Sequence, residues 1–264
     1  MCKHKEMDDF LSALILAVVQ GIAEWFPISS SGHLVLVSHL LGYENTLAFD
    51  LALHFGTLMA VFVYFGKDIT NIVRDLLYVR FSTDSGRMGL YLLAASLPAA
   101  IIGFIFHDFV SSSINDLGLL TLGFFITAVL LMIGSFDVSP RRKKLSYILA
   151  FFIGLAQCAS FFRGISRSGT TVTSGLLLGL DEKTALRFSF LLSIPIISGA
   201  NLLELGNVPL PPEFFWASLV SFIVGLVTIN LLMKVVLTTK KNLRWFALYV
   251  FIIALALGAY VLYR

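Results

Sequence analysis

Two short stretches of the chain hold groups that can handle phosphate, and both are embedded in apolar surroundings. The first, EWFPISSSGH, runs from Glu24 to His33 and supplies Glu24, Ser29, Ser30, Ser31 and His33, with Gln20 one helical turn before Glu24. The second, RGISRSGTT, supplies Arg163, Ser166, Arg167, Ser168, Thr170 and Thr171. An arginine among hydroxyls suits phosphate, because a guanidinium grips two oxygens as a fork. Gly32 and Gly169 let the backbone unwind at equivalent points, and N–H groups freed ahead of a helix form an anion cradle. A serine close to a histidine could work as nucleophile and general acid/base, or the imidazole could attack phosphorus itself. Glu24 could orient His33 or ligate a divalent cation that neutralises phosphate charge.

Structural readings compete with these roles. Serine and glycine often serve helix contacts alone, which is the expectation for Ser38, Ser160 and Ser193. His39 and His54 read as packing or hairpin-stabilising groups, Asp50 and Arg187 as structural charges, and Asp181 with Lys183 as a solvated connection.

Positioning such groups falls to a membrane scaffold. Of 264 residues, 58% are hydrophobic and only 13% charged, and mean hydropathy is +0.89. That composition belongs to polytopic membrane proteins and leaves no polar block for a soluble domain. Cys2 and Cys158 are too few and too far apart for a disulfide framework or a zinc site. The charged start MCKHKEMDDF precedes an apolar run without a small-residue cleavage site, so it reads as a retained start.

Six apolar runs approach the roughly 20 residues that cross a bilayer: Leu47–Phe65, Gly89–Phe106, Leu117–Phe136, Ala185–Leu203, Phe214–Met233 and Trp245–Tyr263. Four others, Phe10–Ala23, Leu34–Gly42, Tyr147–Phe162 and Thr170–Leu180, are short and joined in pairs by the polar stretches. Each pair predicts a re-entrant helical hairpin. Lys and Arg gather in three connections, at Lys67–Arg87, Arg141–Lys144 and Lys234–Arg244, whereas HDFVSSSINDL and ELGNVPLPPE have none. The positive-inside rule fits all five only if both short pairs are re-entrant, which puts both termini outside.

A shift of 137 residues aligns Gln20–Asp50 with Gln157–Arg187 and leaves 10 of 31 positions identical. Unrelated apolar sequence would give about two or three, since common residue types each run near 7–10%. The expected fold is therefore an all-α polytopic membrane protein with an inverted-topology repeat, six transmembrane helices and two re-entrant hairpins. It forms a single domain over 1–264 with repeats at about 10–137 and 147–264. The two polar tips should meet between broken helices near the bilayer midplane, where ionisable groups cost at least about 2.5–3.5 kcal/mol each and are functional candidates by default.

At these residues the chain resembles the undecaprenyl-pyrophosphate phosphatase family, the bacitracin-resistance proteins. Gln20-x-x-x-Glu24 matches the family's (E/Q)-x-x-x-E motif, and Pro27, Ser29, Ser30, Gly32 and His33 match P-x-S-S-x-G-H. Gly164, Ser166, Arg167, Ser168 and Thr171 match P-G-x-S-R-S-x-x-T, and FDLALHFGTLMAVFVYF is similar to the family's next helix. The resemblance covers essentially the whole chain. It implies hydrolysis of the C55 polyprenyl diphosphate to the monophosphate, which recycles the lipid carrier for cell-wall glycan synthesis and confers bacitracin resistance. It also implies a plasma-membrane location, an outward-facing site and dependence on a divalent cation, Mg²⁺ or Ca²⁺.

Carried over by position, Ser30 and His33 become the catalytic pair, either of them the nucleophile. Arg167 becomes the phosphate clamp and Glu24 a metal or proton-handling group. Ser29, Ser31, Ser166, Ser168, Thr171 and Gln20 would bind phosphate oxygens. Two departures stand out. Gln20 is the neutral option at its position, which weakens a two-carboxylate metal site. Arg163 replaces the family's usual proline and could bind the distal phosphate. The expected partners are the lipid diphosphate and membrane lipid, with a homodimer allowed and no nucleic acid. A polyprenyl-phosphate transporter or flippase is the rival reading, since inverted repeats with broken helices also build transporters.

Overall fold

The structure is a computed structural model that describes residues 2–106, 116–136, 144–205, 214–235 and 239–263. Most of the basic stretch 141–144, part of 234–244, and most of HDFVSSSINDL and ELGNVPLPPE lie outside these residues. Among the described residues there are eleven α-helices and no strands. They are α1 (Cys2–Ala23), α2 (Ser30–Leu41), α3 (Leu47–Tyr64), α4 (Gly66–Leu77), α5 (Asp84–Ile105) and α6 (Leu117–Ser135). Then come α7 (Tyr147–Gln157), continued by a 3₁₀ turn at Cys158–Phe161, then α8 (Arg167–Leu177), α9 (Glu182–Leu205), α10 (Phe214–Val235) and α11 (Leu243–Tyr263).

Six of these, α3, α5, α6, α9, α10 and α11, are long and apolar enough to cross a membrane, and they coincide with the six runs read from sequence. Their outer faces carry large exposed hydrophobics such as Phe104, Leu202 and Leu262, a surface suited to lipid. The chain is an all-α, multi-pass membrane protein.

The helix pairs α1–α2 and α7–α8 are the two hairpins. Local chemistry explains their break points. Ser29 caps α2 by accepting from the Gly32 N–H, and Ser166 caps α8 by accepting from the Gly169 N–H, at positions 137 residues apart. Gly42 and Gly179, again 137 apart, both take positive φ after their helices. Around the hairpins, α1 packs on α10 and α7 on α5, while α3 packs on α10, α9 on α5 and α6 on α11. These approaches are close: a Cβ on Gly154 would overlap the Ala95 carbonyl, and one on Gly56 the Ser218 carbonyl.

Two features differ from the sequence reading. The helix α1 runs back to Cys2 instead of beginning near Phe10, because nothing in KHKEMDD breaks a helix. The stretch read as a basic connection at 66–87 contains α4, an amphipathic helix that buries Ile72 and exposes Val73 and Leu77. Its charges mask the helical period in a window tuned to long apolar runs. The helix closes on Asp75, whose carboxylate accepts from Thr83 Oγ1 at 2.7 Å. That bond, with Arg74 beside it, holds the carboxyl below the usual carboxylate range. Thr83 in turn caps α5 through the Gly86 N–H.

Candidate active site

The two hairpin tips touch each other. Ser168 Oγ donates to the Phe26 carbonyl at 3.1 Å, and Arg167, the first residue of α8, donates from Nη2 to Glu24 Oε1 at 2.6 Å. Ser30, the first residue of α2, donates from Oγ to Glu24 Oε2 at 2.6 Å, and Gln20 Nε2 reaches the same oxygen at 3.2 Å. Two helix N-termini thus converge beside one buried carboxylate, each turning the positive end of its dipole toward it. The Arg167 guanidinium lies over the Trp25 ring at 5.8 Å, and Trp25 is held edge-on by Phe190.

A cavity of about 360 Å³ opens against this cluster. Glu24, Ser29, Ser30, Ser31, Ser166, Arg167 and Ser168 line it, joined toward α3 and α9 by Asp50, His54, Arg163 and Asn201. Ser29 sits there at φ 72° and ψ 96°, a left-handed conformation that costs a non-glycine residue about 1–3 kcal/mol. Its strained turn aims Ser30 at Glu24.

The expected Ser30–His33 pairing is not what the structure holds. A carbonyl only accepts, so His33 Nδ1–H donates to the Ser29 carbonyl at 2.7 Å. The other ring nitrogen, Nε2, then accepts from the Tyr249 hydroxyl at 2.9 Å, and the two rings stack. His33 does not line the cavity; being three residues after Ser30 in α2 turns it toward α6 and α11, against Phe124. Its geometry fixes the strained turn that carries Ser30. Replacing Tyr249 by phenylalanine should therefore lower stability by about 1 kcal/mol, the net worth of one hydrogen bond. Phosphate release should stay within a few-fold of wild type; a loss of several hundredfold would return His33 to the chemistry.

The remaining candidates divide by contact. Ser166 Oγ lies 3.2 Å from Ser168 Oγ, and its backbone N–H donates to Thr127. Thr171 is bonded to Ser189 at 2.6 Å and Thr170 to its own helix carbonyl; neither lines the cavity, nor does Gln20. Ser38, Ser160 and Ser193 all bond back to carbonyls three residues earlier, and Asp181 caps α9 through Thr184. Arg163 faces Asp50 at 3.4 Å, and Arg187 makes a forked pair with Asp68. His54, read from sequence as a packing residue, lines the cavity with Nε2 at 3.6 Å from Glu24 Oε2. Its spacing of four from Asp50 on one helix face was the available signal.

The donor set does not fit a carboxylate-held divalent cation. Both Glu24 oxygens already face donors, Arg167 on one and Ser30 and Gln20 on the other. The first motif position supplies an amide, and among the described residues no group of three or more His, Cys, Asp or Glu is placed to hold a metal.

The family model described as Bacitracin resistance protein BacA matches residues 13–256. The chain belongs to the BacA family. The chain is also similar to proteins named undecaprenyl-diphosphatase. The one from Korarchaeum cryptofilum (strain OPF8) is 37% identical over 261 residues, covering 94% of this chain and 98% of its own. That from Rubrobacter xylanophilus is 38% identical, covering 97% and 100% of the two chains. That from Teredinibacter turnerae (strain ATCC 39867 / T7901) is 43% identical over 197 residues, 72% and 74% of the two. The match to the BacA model covers both polar tips, Glu24–Ser30 and Arg167.

Proposed function

We propose that the chain hydrolyses a polyprenyl diphosphate, undecaprenyl diphosphate by the name of its relatives, to the monophosphate and inorganic phosphate. That reaction recycles a lipid carrier for cell-wall glycan synthesis and underlies bacitracin resistance. The observation that carries the reading is Ser30: its hydroxyl donates to a buried carboxylate whose second oxygen is gripped by Arg167. Glu24 takes the Ser30 proton as Oγ attacks the distal phosphorus. Arg167 and the converging N–H groups bind the oxygens where charge develops. A pure transporter needs the cation but not a hydroxyl hydrogen-bonded to a base, so hydrolysis is the better reading.

The cavity is lined by the first turns of α3, from Leu47 to His54, and the last turns of α9, from Ile196 to Asn201. The connections at those helix ends, 42–46 and 206–213, contain no Lys or Arg, whereas Lys and Arg gather at 66–87, 141–144 and 234–244. The positive-inside rule therefore supports an outward-facing site in the plasma membrane, with both termini outside. The matched capping serines, the paired positive-φ glycines and the exchange of α1–α10 for α7–α5 contacts support the inverted repeat.

Purified protein should release phosphate from a polyprenyl diphosphate in detergent or bilayers; no release above a protein-free control would refute the proposal. Arg163 contributes binding to both ground and transition states. Arg163→Ala should raise KM about tenfold, equivalent to about 1.4 kcal/mol, with kcat within about twofold. Steady-state kinetics on the diphosphate check this, and an unchanged KM would remove Arg163 from the substrate site.

A further inference from the structure

Transfer through Ser30 leaves a second step that Glu24 cannot serve alone. Once Glu24 holds the Ser30 proton it is a neutral acid, suited to returning that proton to Oγ but unable to activate the water that frees the phosphate. Another base must stand on the cavity wall. Asp50 is engaged by Asn45 at 2.7 Å and by Arg163 at 3.4 Å. His33 has its Nε2 filled by Tyr249 and lies off the cavity. Arg163 and Arg167 stay protonated.

His54 meets the requirement. Its Nδ1–H donates to the Asp50 carbonyl at 2.9 Å, which leaves the lone pair of the neutral ring on Nε2. That nitrogen points into the cavity 3.6 Å from Glu24 Oε2, the same oxygen that Ser30 Oγ approaches at 2.6 Å. Ser30 Oγ and His54 Nε2 therefore sit no more than about 6 Å apart. Both groups also line the cavity that would receive the distal phosphate. The side chain is 26% exposed against 6% for Glu24, so water reaches it.

We propose that His54 is the general base of the second step, an assignment that rests on the diphosphatase reading above. In the first step the Oγ–P bond forms, the bridging P–O bond breaks with its electron pair leaving on the lipid monophosphate, and the Ser30 proton goes to Glu24. In the second, a water oxygen bonds to phosphorus and gives its proton to His54 Nε2. The P–Oγ bond breaks, Oγ recovers the proton from Glu24, and inorganic phosphate departs. The imidazolium then faces the restored Glu24 carboxylate, as the ion pair at 3.6 Å, and releases its proton through the cavity mouth.

The test follows the phosphoryl group, using a polyprenyl diphosphate labelled in its distal phosphate. His54→Gln should lower kcat by about 10²–10³-fold, the usual contribution of a general base. It should still give a burst of lipid monophosphate equal to the enzyme, with label held on the protein through an acid quench. Ser30→Ala should show neither burst nor label. In His54→Ala, whose cavity has room for a small ring, millimolar imidazole should restore phosphate release and discharge the label. Rescue of that kind lies beyond a packing residue, and it holds even if the glutamine variant folds poorly. Wild-type turnover in His54→Gln, or slowed turnover with no labelled protein and no imidazole rescue in His54→Ala, would overturn the assignment. Absence of phosphate release by wild type would refute the diphosphatase reading and this assignment with it.

Discussion

Replacing Ser30 by alanine should reduce phosphate release about 10⁴-fold or more, as removal of a hydroxyl nucleophile does elsewhere. The fold should hardly notice. Ser30 opens α2, where alanine is a good helix former, and the cap of that helix is supplied by Ser29. The Ser30 side chain makes a single described hydrogen bond, to Glu24, and that oxygen retains Gln20 and His54 as neighbours. Melting of the variant should therefore stay within about 1 kcal/mol of wild type. Glu24→Gln should be nearly as inactive, and the double variant should fall little further, because nucleophile and base act as one unit. Phosphate release by the three proteins, with thermal melting alongside, decides the matter. If Ser30→Ala retained more than a tenth of wild-type activity, the nucleophile would lie elsewhere.

How much of this site could be read in advance depended on whether a residue's role follows from its neighbours in sequence. The hairpins were legible because capping is local: Ser29 to Gly32 and Ser166 to Gly169 lie three residues apart, and the 137-residue shift superposes them. The meeting of the two tips was also legible from the paired broken helices, and Glu24 with Arg167 is the contact that makes it. What a residue turns toward was not. His33 lies close to Ser30 in sequence, yet the pitch of α2 carries it to Tyr249, 216 residues away. His54 looked like one more polar residue on an apolar helix until α3 packed beside α1 and brought it to Glu24. The amphipathic α4 was hidden for a different reason, since its period is helical while its charge is that of a loop.

The repeat also shows what specialisation left behind. Gln157 is the counterpart of Gln20, and it is fully buried with neither amide atom bonded among the described residues. Gln20 donates to Glu24, but the position equivalent to Glu24 is Phe161, which accepts nothing. Likewise Ser30 corresponds to Arg167 and His33 to Thr170. Only one tip keeps the carboxylate and the serine hydroxyl bonded to it, and only the other keeps the cation that balances them. Neither hairpin holds a complete site alone.

That division makes the Glu24–Arg167 pair the second large effect. The side chains are 6% and 13% exposed, and removing one partner strands a charge where water barely reaches. Arg167→Met and Glu24→Gln should each destabilise the protein by about 3–5 kcal/mol, whereas removing both charges together should be close to neutral or even stabilising. Activity should follow a different rule. Each single variant should lose at least about 10³-fold, and the double variant should recover nothing, because the base and the phosphate clamp are then both absent. Reversible unfolding in detergent, set beside phosphate release for the four proteins of this cycle, separates the two behaviours. A double variant as stable as wild type yet silent would mean the pair is kept for chemistry and not for the fold. Single variants that melt with wild type would mean that solvent reaches this carboxylate. The strong hold of Arg167 on Glu24 would then have to be weaker than a 2.6 Å contact in an apolar surround implies.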